Sequence, residues 1–93
     1  MIKASDIPFL PRGVRCQFDR VRGVEVLLGP ERVLMLDDIG KAVLGRVDGQ
    51  ASVDMIAEGL AKDYDAPKAM ILEDVLAYLG DLFDKRLVEC AHG

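Results

Sequence analysis

At 93 residues, 51% hydrophobic, 30% charged and with a formal net charge of −4, the chain reads as a single soluble domain spanning residues 1–93, with no room for a second. Its aromatic share is 5% and it lacks tryptophan, so the core has to be built from Val, Leu, Ile and Met, in a domain small enough that stability is marginal. Apolar runs such as Val33–Leu36 fall far short of the ~18 residues of a membrane span, and no apolar segment follows Lys3 as it would in a signal peptide; a cytoplasmic protein with no membrane contact is expected, and the two cysteines, Cys16 and Cys90, suit a reducing compartment.

In chain order, residues 1–13, with Pro8 and Pro11, read as an irregular arm. Residues 14–36 read as a β-meander. Val14, Cys16 and Phe18 alternate with Arg15 and Gln17, and Val24, Val26 and Leu28 alternate with Glu25 and Leu27. A period of two marks half-buried strands, which makes Cys16 a small apolar core residue. Asp19–Gly23 is long enough for a hairpin loop, and Gly29-Pro30 signals a second reversal. The third strand, Val33–Leu36, is apolar on both faces and comes last in the meander. An apolar edge strand is an association hazard, so either the terminal strand covers it or another chain adds a strand there.

From Asp37 the period changes to about 3.6, and residues 37–86 read as helical. Asp37 is a candidate N-cap for a helix with the stripe Ile39, Ala42, Val43 and Val47; Ser52 caps a second helix ending near Tyr64; Pro67 opens a third that runs to about Arg86. Gly40, Gly45, Gly59 and Gly80 fall inside these helices, each at a cost of about 1 kcal/mol relative to Ala. A short strand at Leu87–Cys90 returns to the sheet, with residues 87–93 as strand and tail. The expected fold class is α+β and winged-helix-like: a three-stranded antiparallel meander followed by three α-helices, with a short C-terminal strand. In the third helix, Ile71, Val75, Tyr78 and Leu82 form one stripe and Leu72, Leu76, Leu79 and Phe83 a second. Together they exceed the ~100° arc of a simple surface helix, so this helix is expected to pack on two sides.

The reactive groups argue against an enzyme. The only histidine, His92, is the penultimate residue, where no third group can hold it as a base. Cys16, Cys90 and His92 lack the paired spacing of a four-ligand zinc site, and no glycine-rich phosphate loop is present. Asp37/Asp38 and Glu73/Asp74 are better read as a cap and a solvated helix face than as acid–base pairs. No catalytic residue, cofactor or metal is expected. Winged-helix DNA binding is the rival from another class, but the second and third helices are both net acidic where a recognition helix is basic, so no nucleic-acid partner is expected. A non-catalytic structural subunit is the other alternative. Residues 12–32 carry five of the seven arginines against three acids, whereas residues 49–93 carry four basic residues against nine acids. Forked guanidinium groups around the strands suit the carboxylates of a partner.

Several segments fall into a familiar order: Ile7-Pro8-Phe9-Leu10-Pro11-Arg12-Gly13-Val14-Arg15, Asp19-Arg20-Val21-Arg22, Val26-Leu27-Leu28-Gly29-Pro30-Glu31-Arg32-Val33, Leu36-Asp37, Asp48-Gly49, Ser52-Val53, Ile56-Ala57, Tyr64-Asp65-Ala66-Pro67 and Asp74-Val75. Over roughly residues 7–89 the chain resembles the pyrroloquinoline quinone (PQQ) biosynthesis protein D family, PqqD. The resemblance implies a peptide chaperone that binds a ribosomally made precursor peptide (PqqA-type) and presents it to a radical S-adenosylmethionine enzyme (PqqE-type) that cross-links a glutamate and a tyrosine. It implies that the peptide adds as a strand to Val33, Leu34, Met35 and Leu36, in a groove walled by Leu72, Val75, Leu76 and Leu79. A small, glycine-rich domain of this kind can also form a homodimer by exchanging its amino-terminal strands.

Overall fold

Two local devices set the meander. The Asp19 carboxylate accepts the amides of Val21 and Arg22 at 2.9 and 3.1 Å, and Gly23, at φ +70, donates to the Asp19 carbonyl at 2.7 Å. This Asx-type closure joins β2 (Arg15–Asp19) to β3 (Val24–Leu28). The Gly29–Arg32 turn then leads into β4 (Val33–Met35). The resulting antiparallel sheet has the order β2-β3-β4, with Cys16 opposite Leu27 and Leu27 opposite Leu34. A computed structural model describes residues 2–92.

The helices start where side-chain chemistry places them. Asp37 Oδ1 accepts the Gly40 amide at 2.8 Å to open α1 (Asp38–Leu44), and Ser52 Oγ accepts the Met55 amide at 3.2 Å to open α2 (Val53–Tyr64). Pro67 precedes α3 (Lys68–Asp84), whose start is tied to α2 by the Lys68–Asp54 ion pair at 3.0 Å. Both longer helices end in Schellman closures. The Ala66 amide donates to the Ala61 carbonyl, and the Leu87 amide to the Leu82 carbonyl, with Asp65 and Arg86 in the left-handed region at φ +51 and +63.

The α+β, winged-helix-like architecture is therefore as expected, with four corrections. The N-terminal segment is not wholly irregular: Asp6–Phe9 is a strand, β1, which pairs antiparallel with β5 (Glu89–His92). Consequently β5 does not return to the meander but forms a separate two-stranded sheet with β1. The alternation in β2 does not mark a buried face, because Cys16 is exposed and Phe18 is 51% exposed. Finally, α1 ends at Leu44 and α3 at Asp84, so the expected stripe through Val47 stops one turn early.

The core is carried instead by Leu27, which is 0% exposed, with Val14, Val43, Leu44, Val53, Ile56, Leu60, Val75, Leu79, Leu82, Leu87 and Val88. β3 is buried on both faces, since its neighbour Val26 is also buried. No helix among the described residues is long and apolar enough to cross a membrane.

Two predictions follow from burial and hydrogen bonding. Leu27→Ala should lower the unfolding free energy by about 2–5 kcal/mol in urea titrations, whereas Phe18→Ala should stay within ~0.5 kcal/mol, as surface changes do. Backbone amides of Arg22 and Ala51, foremost among their partners, hold the Asp19 and Asp48 carboxyls below the usual carboxylate range. Their contribution is present above the unfolded-state value and is lost as pH falls through the lower folded-state value. The urea midpoint should therefore drop on acidification below the ordinary carboxylate range, and Asp19→Asn/Asp48→Asn should flatten that drop.

Candidate functional site

β4 pairs with β3 on one side only, so its other edge is open. The Leu36 amide donates to the Glu25 carbonyl at 2.9 Å and the Gly29 amide to the Arg32 carbonyl at 2.8 Å. Hydrogen-bonded pairs alternate along an antiparallel ladder, so Leu34 is the residue between them that bonds to β3 through Leu27. The amides and carbonyls of Val33 and Met35 point to the open edge. Their side chains share the outer face of the sheet with Val26 and Leu28, and are 52% and 68% exposed. Leu34 packs against the core and Leu36 is buried.

Four residues beyond Met35, Ile39 begins an apolar groove of about 330 Å³ between α1, α2 and α3, lined by Ile39, Ala42, Val43, Leu60, Tyr64, Ile71, Asp74 and Val75. Ile39 and Tyr64 are more than half exposed at its rim. The sole carboxylate in the lining, Asp74, stands beside otherwise apolar or aromatic side chains. The wall is held by a close approach of α1 to α3. A Cβ on Gly40 would fall 2.5 Å from the Tyr78 hydroxyl and 3.2 Å from Asp37 Oδ1. Burial, then the neighbouring Asp37 carboxylate, raises the Tyr78 phenol above its ordinary value, so it stays protonated at neutral pH. Partial burial, then Glu25, likewise raises the Cys16 thiol, which makes it a weak nucleophile. Among the described residues no group of three or more His, Cys, Asp or Glu side chains is placed to hold a metal ion.

The sequence profile described as "Coenzyme PQQ synthesis protein D (PqqD)" matches residues 25–88. The PqqA binding protein of Rhizobium meliloti is 42% identical over 89 residues, covering 96% of this chain and 91% of that protein. This chain belongs to the PqqD family. The bifunctional coenzyme PQQ synthesis protein C/D of Methylorubrum extorquens is 52% identical over 85 residues; the match covers 91% of this chain but only 23% of that longer protein. The solution structure of the PqqD truncation of Methylobacterium extorquens PqqCD, described as a functional and stand-alone recognition element for ribosomally synthesized and post-translationally modified peptides, superposes with a TM-score of 0.82. It is 49% identical, and the match covers 96% of this chain and 95% of that one.

Within this PqqD fold the expected site residues separate into groups. Val33, Leu34 and Met35 form the edge strand, and Leu36 lies just beyond it in the core. Val75 lines the groove, but Leu79 is 0% exposed and belongs to the core, where it cannot touch a ligand. Leu76 lies on the opposite flank of α3, in a hollow of about 500 Å³ with Ile2, Gly80 and Phe83. Leu72 is half-buried against the core and lines neither space. Of the expected four-residue wall only Val75 borders this groove, whose α3 side is Ile71, Asp74 and Val75, because at 100° per residue Leu76 points away from them. Ile39, Ala42 and Tyr64 were not expected at the site. Ile39 had a readable signal, as an apolar residue in the first turn of α1 on the stripe with Ala42 and Val43.

The helix glycines differ for the same geometric reason. Gly40→Ala should lower stability by about 1–3 kcal/mol through overpacking against Tyr78. Gly59→Ala should raise it by up to about 1 kcal/mol, because the nearest atoms in its way are the exposed end of Arg46, whose surface ion pair with Asp63 adds little. Urea denaturation of the two variants reads the opposite signs.

Proposed function

We propose that this protein is a peptide-recognition chaperone of PQQ biosynthesis. It binds a ribosomally made precursor peptide by adding it as a strand to the open edge of β4, with an apolar peptide side chain in the groove between Ile39, Tyr64 and Ile71. The observation that carries this reading is the open edge of β4, with main-chain groups of Val33 and Met35 turned outward four residues before Ile39 at the groove's rim. It agrees with relatives named for PqqA binding and for peptide recognition. The protein supplies binding and orientation, and the chemistry belongs to a radical S-adenosylmethionine enzyme that receives the peptide in the cytoplasm. Homodimerisation by strand exchange belongs to the same proposal. β1 is held by β5 from the far end of the chain and joins the meander through Pro11–Gly13, with Gly13 at φ +88, so it is the segment suited to exchange. Sedimentation showing only monomers at high concentration would remove the dimer.

Proline at Met35 tests the docking model, because it deletes a donor aimed at the open edge and spares the ladder to β3. Met35→Pro should weaken binding of the PqqA-type precursor peptide about tenfold or more while thermal unfolding changes little. In amide shift mapping the peptide should perturb Val33–Met35, Ile39 and Ile71. Shifts that miss both β4 and the groove would sink the reading, as would equal losses of folding and binding in the variant.

A further inference from the structure

A second recognition surface lies at the end of the sheet where the β3–β4 turn meets the chain leaving α3. The turn is seated firmly: a Cβ on Gly29 would fall 2.6 Å from Leu87 Cδ2. Between the two segments is a cleft of about 320 Å³ whose charged lining is Glu31, Arg32, Lys85 and Arg86. Lys85 is committed to Asp81 at 2.8 Å. Arg32 and Arg86 are exposed and have no ion pair or side-chain hydrogen bond among the described residues.

The backbone adds an independent observation. Arg86 holds the left-handed position of the α3 Schellman closure at φ +63, a place where glycine is preferred and a side chain is strained. Arg86 thus occupies a strained position on the rim of the cleft that Arg32 also lines. Two free guanidinium forks over one cleft match the geometry of carboxylates. A long polyanion fits poorly, because Glu73, Asp74, Asp81 and Asp84 run along the same helix and the chain is net −4.

We propose that this cleft docks a short acidic segment of a partner polypeptide, through Arg32 and Arg86. The surface is separate from the open edge of β4, and its use does not depend on strand addition there. The test is amide shift mapping of the full chain at low salt with acetylated, amidated tetraglutamate, using tetraglutamine, glutarate and duplex DNA as comparisons. The expected shifts are confined to Gly29–Arg32 and Lys85–Leu87, are absent with tetraglutamine, and weaken about tenfold in Arg32→Gln/Arg86→Gly. Glycine accepts the backbone geometry at residue 86, and Arg32→Gln alone gives the same reading if the double variant unfolds. Absence of shifts, shifts spread over Lys3 and Lys62, or unchanged binding by the variants would overturn the proposal. Glutarate binding as tightly as the peptide would reduce the cleft to a small-anion site, and tighter DNA binding would reassign it to nucleic acid; either result overturns the polypeptide partner.

Discussion

The fold depends on one buried cluster, in which the row of Val75, Leu79 and Leu82 on α3 packs along α2 and shares its core with Leu27 of β3, which is wholly inaccessible. A chain of this size has little surface to bury: one strand covered on both faces, one row of α3, and the inner faces of α1 and α2. Everything else is arranged around that limited supply of buried surface. β2 and β4 are edges of the sheet, and the apolar residues of α3 beyond the central row are left to line two hollows, Ile71 on one flank and Leu76 with Phe83 on the other. The open groove is what remains when an apolar arc is wider than the core it packs against.

Much of this was legible in the sequence where the determinants are local. Asp37 and Ser52 announce helix starts because an oxygen-bearing side chain there satisfies an otherwise unpaired amide. The change of period at Asp37 separates sheet from helices for equally local reasons. The place of Val33–Leu36 as the last strand of the meander marks it as an edge, and its apolarity on both faces marks it as an edge that calls for cover. What was not legible depended on distant partners. Period-two alternation in β2 says that two faces exist, not that anything covers either of them, and so Cys16 and Phe18 were misplaced. The pairing of Asp6–Phe9 with Glu89–His92 joins opposite ends of the chain. It is hidden further by Pro8, which an edge strand tolerates and a central strand does not.

The site was half legible for the same reason. One helix read alone yields its own stripes but not which stripe faces which neighbour. Leu72, Val75, Leu76 and Leu79 look equivalent on a linear pattern, yet only Val75 borders the groove. The missing members, Ile39 and Tyr64, arrive from α1 and α2. Their placement follows from the close approach allowed by Gly40 against Tyr78, a contact between residues nearly forty positions apart with no trace in either local sequence.

The length of β4 constrains how a peptide can be held. Three residues are a short edge, one of the ways proteins limit unwanted strand pairing. Only Val33 and Met35 turn main-chain groups outward, so strand addition offers about four hydrogen bonds, each contributing about 0.5–1.5 kcal/mol net. Against the cost of immobilising a flexible peptide, several kcal/mol by most accounts, that is too little for micromolar binding, which needs about 8 kcal/mol. Burying one large apolar side chain contributes a further ~1.5–3 kcal/mol, and covering Val33 and Met35 adds more. In the proposed docking mode the edge sets direction and register, and the groove between Ile39, Tyr64 and Ile71 adds to an affinity that main-chain bonds alone leave short. On these magnitudes a peptide that matches the edge but carries no apolar residue at the groove binds, in that docking mode, more weakly by about 1.5–3 kcal/mol.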